Sequence, residues 1–192
     1  LAEQKFSDVP PENKYFFATN FIANEEIVDG REDGSFDPDA EINRAEFTKI
    51  LVQTRFAEEL AEFELPAGSC FPDVALDDWF APFVCFAKND GIISGYSDGN
   101  FRPAESVNLA EAITILVKSF GWSVEENSES EWFAPFLEKA TQLEVLPTDF
   151  GSANDNLTRG KMAELVMRGV KYGRGELVDY LENLNSKNED EE

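Results

Sequence analysis

Histidine is absent from all 192 residues, which removes the usual general base at neutral pH and the commonest transition-metal ligand; carboxylate catalysis and oxygen-ligand calcium sites remain open. Basic residues are scarce. Sixteen Lys and Arg stand against 39 Asp and Glu, a formal net charge of −23. A field of that sign repels nucleic acid and anionic lipid, so neither is an expected partner. Long apolar runs are missing too: the richest, Trp79 to Ala87, contains Pro82 and falls well short of the roughly 20 residues a membrane-spanning helix needs, so no membrane insertion is expected. The chain opens at Leu1 without a basic segment leading into an apolar one, and so reads as a mature or truncated product. Its two cysteines, Cys70 and Cys85, have no histidine or third cysteine to complete a zinc site, which leaves a disulfide or a pair of buried thiols.

What is present is a core and a repeat. Apolar residues make up 42% of the chain, with 17 Phe, enough to bury a sizeable core. Phe6-Ser7-Asp8-Val9 recurs as Phe71-Pro72-Asp73-Val74, and later landmarks keep the same offset of 65 residues: Gly30 with Gly95, Asp33-Gly34 with Asp98-Gly99, Phe36 with Phe101, Pro38 with Pro103, Ala45-Glu46 with Ala110-Glu111. A third, worn copy repeats Trp79-Phe80-Ala81-Pro82-Phe83 as Trp132-Phe133-Ala134-Pro135-Phe136 and answers Asn43-Arg44-Ala45 with Thr158-Arg159-Gly160. It lacks the Phe-x-Asp-Val opening and the Asp-Gly-x-Phe turn. The copies run approximately over residues 1–65, 66–125 and 126–173, followed by an acidic tail over 174–192.

Each copy reads as two helices joined by a structured loop. Asp8 and Asp73 suit a helix N-cap or turn ahead of an apolar-periodic first helix. Glycine at Asp98-Gly99 suits a positive-φ turn before Phe101 enters the core, with room for a short strand or hairpin. The second helix starts at Asn43, Asn108 or Thr158. Glu46 and Glu111, three residues beyond Asn43 and Asn108, complete capping boxes. Apolar stripes follow, through Phe47, Ile50 and Leu51, through Ile115 and Leu116, and through Met162, Leu165 and Val166. No copy can bury its stripe alone. Three second helices around a common axis would bury all three, which predicts a mainly α fold: three helix-loop-helix units in a pseudo-threefold arrangement around a central three-helix bundle. Beyond Gly175 the tail has the pattern of a short helix through Leu177, Tyr180, Leu181 and Leu184, and otherwise reads as a linker or frayed end.

These landmarks resemble the S-layer homology family, whose pattern runs from Phe-x-Asp-Val through a tryptophan-bearing first helix and Gly-Tyr-x-Asp-Gly-x-Phe-x-Pro to Thr-Arg-Ala-Glu. Copy two carries most of it, from Phe71-Pro72-Asp73-Val74 through Trp79 to Gly95-Tyr96-Ser97-Asp98-Gly99-Asn100-Phe101-Arg102-Pro103. The resemblance implies a three-pronged domain that attaches exported proteins to the bacterial envelope through anionic, pyruvylated secondary wall polysaccharide bound in grooves between prongs. It assigns the ligand to the motif arginine, here Arg44 and Arg159, with copy two placing Leu109 there and so leaving one groove without its anion clamp. A guanidinium at a helix N-terminus can fork onto a carboxylate while spare backbone N–H groups add donors. Trp79 and Trp132 suit stacking on a sugar face as well as simple packing, and Lys14, beside Tyr15 and Phe16, stands at that position in copy one. Gly30, Gly95 and Tyr96 complete the ligand-side set. Export also favours the Cys70–Cys85 disulfide.

The expected function is therefore a non-catalytic, extracellular anchoring module on the bacterial cell surface, with wall polysaccharide as partner and no cofactor. The alternative is a structural module that joins other surface-layer subunits in a layer or filament. A glycosidase working through a carboxylate pair ranks third, because no motif selects a pair among 39 acidic residues. The charge of −23 opposes an anionic polymer at long range, so binding needs local cations, salt, or bridging calcium. The Asp33-Gly34 and Asp98-Gly99 loops lack a calcium-ligand series and read as turns.

Overall fold

Asn43 and Asn108 sit in extended backbone with side chains that accept from the amides of Glu46 and Glu111, while both glutamates reach back to the Asn N–H; these reciprocal caps start α2 (Arg44–Ala61) and α4 (Leu109–Ser119). Thr158 caps α6 (Arg159–Arg174) by accepting from Lys161 N. The first helices are shorter: α1 (Phe16–Asn24), α3 (Ala81–Asn89) and α5 (Ala134–Gln142). In α3 and α5, Pro82 and Pro135 fall in the first turn, where the missing N–H costs no hydrogen bond. A last helix, α7 (Leu177–Glu189), closes the chain. The computed structural model describes residues 3–125 and 130–189, with side chains to 184. The expected start of copy three at 126 and the acidic end of the tail, 190–192, lie outside the described residues.

Among the described residues the fold is helical with no strand, and no hairpin forms around Phe101. The extended pairings among the described residues are three isolated antiparallel bridges, Glu41 with Thr158, Asn43 with Ser106 and Asn108 with Asn156. They close a ring. Ile42 N donates to Leu157 O at 3.1 Å, Leu157 N to Val107 O at 2.8 Å, and Val107 N to Ile42 O at 3.1 Å, so each copy holds one neighbour and is held by the other. Ile42, Val107 and Leu157 are fully buried, which places this ring inside the core.

The helix pairing crosses the copies. α1 packs on α6, α3 on α2 and α5 on α4, while α2 and α4 meet directly. An added Cβ at Gly169 would lie 3.0 Å from the Phe120 ring, so glycine lets α6 close onto the end of α4. One contiguous cluster of buried side chains draws on all three copies. α2 continues past a kink at Phe56, and that extension lays Phe56 and Phe63 against Phe86 of α3 at 5.3 and 5.4 Å. α7 is docked: Leu177 is buried and Tyr180 and Leu181 pack on the core, so this part of the tail is neither linker nor frayed end.

Cys70 and Cys85 form a disulfide, with Cα atoms 5.4 Å apart. Copy one has Lys5 and Asn20 at those positions, and there Lys5 N donates to Asn20 Oδ1 at 3.1 Å. One covalent and one hydrogen-bonded link thus tie equivalent points. Of the two readings of Asp8 and Asp73, the turn holds and the helix cap does not: both sit in turns and clamp a distant loop. Asp8 accepts from Phe36 N and Asp37 N, Asp73 from Phe101 N and Arg102 N, all at 2.7 to 2.8 Å. The N-cap positions of α1 and α3 are Tyr15 and Phe80, neither of which makes a side-chain cap.

Candidate functional site

The second helices start where their copies meet, so each N-terminus abuts the loop of a neighbour. At the first junction Arg44 N donates to Glu105 O at 3.0 Å and Ala45 N to Pro103 O at 3.1 Å; at the second, Arg159 N to Ala40 O and Gly160 N to Pro38 O, both at 2.8 Å; at the third, Leu109 N to Asp155 O and Ala110 N to Ala153 O, both at 2.9 Å. The helix-end amides expected to serve as spare donors are therefore already occupied by loop carbonyls, and the next one goes to the cap side chain.

The side chains differ more. At the first junction Arg44 is buried, 5% exposed. Its Nε donates to Phe101 O at 2.9 Å, a terminal nitrogen lies 3.2 Å from Glu111 Oε1, and its guanidinium sits 4.6 Å from the Tyr96 ring and 5.0 Å from that of Phe101. Tyr96 donates its hydroxyl to Glu111, and burial together with that carboxylate pushes its pKa up to about 12. At the second junction Arg159 repeats the Nε bond, to Phe36 O at 2.8 Å, and lies 4.7 Å over the Phe36 ring. It is only half-buried, and no carboxylate of the described residues comes within 4.0 Å. Burial pulls its pKa below the ordinary arginine value, and the nearby Arg31 charge acts in the same direction. Arg31 stands where copy two has Tyr96, and it pairs with Asp37 at 2.7 Å.

At the third junction Leu109 is buried and offers no charge. A cation arrives from the opposite wall: Lys161, at the helix position held by Glu46 and Glu111 in the other copies, donates Nζ to Phe150 O at 2.7 Å and sits 5.5 Å from that ring. The sequence left this junction without a cation, because the replacement lies two positions beyond the missing arginine and on another helix. A lysine opposite a leucine in two copies of one motif was the available signal.

Gly30 and Gly95 lie under the opening-motif rings. At φ 78° and 75°, an added Cβ would come 2.5 Å from the Phe6 ring and 2.6 Å from that of Phe71. Trp79 and Trp132 lie outside the core, 56% and 58% exposed, each edge-on to the next Phe. Lys49 approaches the Trp79 ring at 5.7 Å. Asp33 accepts from Ser35 N and Asp98 from Asn100 N, which makes both loops side-chain-closed turns. No group of three acidic or thiol side chains that could hold a metal ion occurs among the described residues, and no helix there is long and apolar enough to cross a membrane.

Comparison with known proteins bears on the same landmarks. Residues 5–48 and 71–113 match the model of the S-layer homology domain. The chain is 30% identical over 157 residues to the middle cell wall protein of Brevibacillus brevis, covering 80% of this chain and 14% of that protein. It is 34% identical over 122 residues to a surface layer protein of Brevibacillus choshinensis, covering 62% and 10%. With the cellulosome-anchoring protein of Acetivibrio thermocellus it shares 28% over 116 residues, covering 59% and 25%. The chain thus spans a quarter or less of each of these relatives.

Proposed function

We propose, for a chain that belongs to the S-layer homology family, the role of a non-catalytic, extracellular anchoring module that binds anionic, pyruvylated wall polysaccharide at the junctions between its copies. The observation that carries this reading is electrostatic. In a chain of charge −23, each of the three junctions keeps a cation hydrogen-bonded to the carbonyl of a buried loop phenylalanine, Arg44 and Arg159 reaching across to the neighbouring copy and Lys161 to Phe150 of its own. Positive charge is scarce here, and it recurs at symmetry-related points where two copies meet. Local cations of this kind let an acidic protein hold an anionic polymer once salt has shortened the range of its repulsion. Trp79 and Trp132 add exposed aromatic faces of the type on which sugars stack.

Co-sedimentation of the chain with wall sacculi, before and after extraction of secondary polymer, tests this. Binding that disappears with the polymer supports anchoring. Sedimentation with no walls, accompanied by concentration-dependent self-assembly, would instead favour the structural reading, in which the exposed tryptophans face another surface-layer subunit.

A further inference from the structure

We propose that the molecule carries a second ligand site, at the end of the helix bundle away from the junctions: a cleft that takes an uncharged saccharide unit against Trp122. The proposal goes beyond the anchoring reading and stands apart from it. Trp122 is the one tryptophan of three that does not precede a first helix, and it lines a cleft of about 500 Å³. Small-ligand pockets run from about 300 to 1,000 Å³. All three copies wall the cleft: Gln53 and Arg55 just ahead of the kink in α2, Phe120 at the end of α4, Gly173 and Arg174 at the end of α6, and Glu26 just beyond α1. Arg159 opens α6 and Arg174 closes it, so at about 1.5 Å per residue the cleft lies about 22 Å along that helix from the junction cation.

The cleft is stiff where a sugar ring would dock and unengaged where its hydroxyls would bind. Trp122 stacks on Phe120 with ring centroids 4.9 Å apart and meets Tyr172 edge-on at 5.2 Å, while the Arg55 guanidinium lies 4.6 Å from the Phe120 ring. Rings braced in this way lose little freedom on binding. The C–H face of a pyranose carries slight positive charge, which the negative face of an aromatic ring attracts. Around the rings Glu26, Gln53 and Arg55 are exposed, and none of their side chains makes a hydrogen bond or ion pair among the described residues. Carboxylate, amide and guanidinium are planar groups that together accept from and donate to neighbouring hydroxyls. Charge decides between ligands. In a chain of net −23 the cleft is balanced, Arg55 and Arg174 against Glu25 and Glu26, with Arg174 already paired to Glu25. Such a lining favours an uncharged, hydroxyl-rich ligand over an anion or a cation. Gly173 leaves room: an added Cβ there would meet only the Phe120 ring, at an ordinary 3.9 Å.

The test follows the indole N–H signals of the three tryptophans by NMR while the full chain is titrated with chitotriose, cellotriose and maltotriose. At least one trisaccharide is expected to shift the Trp122 signal with a Kd of about 1 mM or tighter. Arg55→Met, at an exposed side chain, should weaken that binding about tenfold, as loss of a charged hydrogen bond does. Gly173→Leu keeps every lining side chain, suits the helix better than glycine and fills the cleft, so it should abolish the Trp122 shift in a chain that still melts at or above the parental temperature. No Trp122 shift with any of the three sugars, a shift of Trp79 or Trp132 without Trp122, or parental binding in both folded variants overturns the proposal. Co-sedimentation with walls is read separately, so the anchoring reading stands or falls by its own experiment.

Discussion

Gly160 stands where the other copies have Ala45 and Ala110, and a Cβ there would lie 2.3 to 2.8 Å from the ring of Tyr15. The worn third motif is thus fitted to the copy-one segment in which Lys14-Tyr15 replaces the tryptophan pattern. Gly160→Ala should cost about 1–3 kcal/mol by overpacking, read from urea denaturation, and the cost should vanish when Tyr15 is already Ala. Arg44 makes a second prediction at this scale. Arg44→Met strands a buried Glu111 carboxylate and should destabilise by about 3–5 kcal/mol, most of it recovered when Glu111→Gln is added. A ligand role predicts no such coupling. Neither pair could be read from the sequence, since both join residues of different copies: Gly160 and Tyr15 show only as departures from the motif, and Arg44 and Glu111 as ordinary members of it.

At the scale of the element, legibility was uneven. Asn43 with Glu46 and Asn108 with Glu111 announce a helix start locally, because all the atoms involved lie within one turn. Asp8 and Asp73 look equally like caps but reach residues 28 and 29 positions away, a choice that local spacing cannot make. The apolar faces of α1, α3 and α5 were legible as faces, whereas their partners α6, α2 and α4 were not, because periodicity reports that a stripe is covered without naming the cover. The disulfide belongs to this scale as well. It ties the start of the Phe71 motif to the middle of α3, and closing a loop of that size contributes about 3 kcal/mol. Melting in the presence of reductant should show that loss, and Asn20→Ala, which removes the hydrogen-bonded counterpart in copy one, should cost no more than about 1.5 kcal/mol.

Across the whole molecule, the first and third copies are joined by an ion pair. Arg174 at the end of α6 forms a bidentate pair with Glu25 just beyond α1. Hydrogen bonding from Arg174 holds the Glu25 carboxyl below the usual carboxylate range, so the pair contributes stability above the unfolded pKa and loses it as pH falls through the folded one. Glu25→Gln should therefore flatten the acid limb of the stability profile, measured as melting temperature between about pH 3 and 6. The crossed packing carries a broader expectation. Residues 1–65 alone would present α1 without α6 and α2 without α3, and should give no cooperative melt by circular dichroism.

The ring of Ile42, Leu157 and Val107 has a mechanical consequence. A tether is pulled, and a row of independent beads would surrender under load one bead at a time. Here each copy grips the next and the last grips the first, so tension applied at either end is shared by all three before any yields. Stretched as a single molecule, the chain should rupture in one large step rather than three small ones.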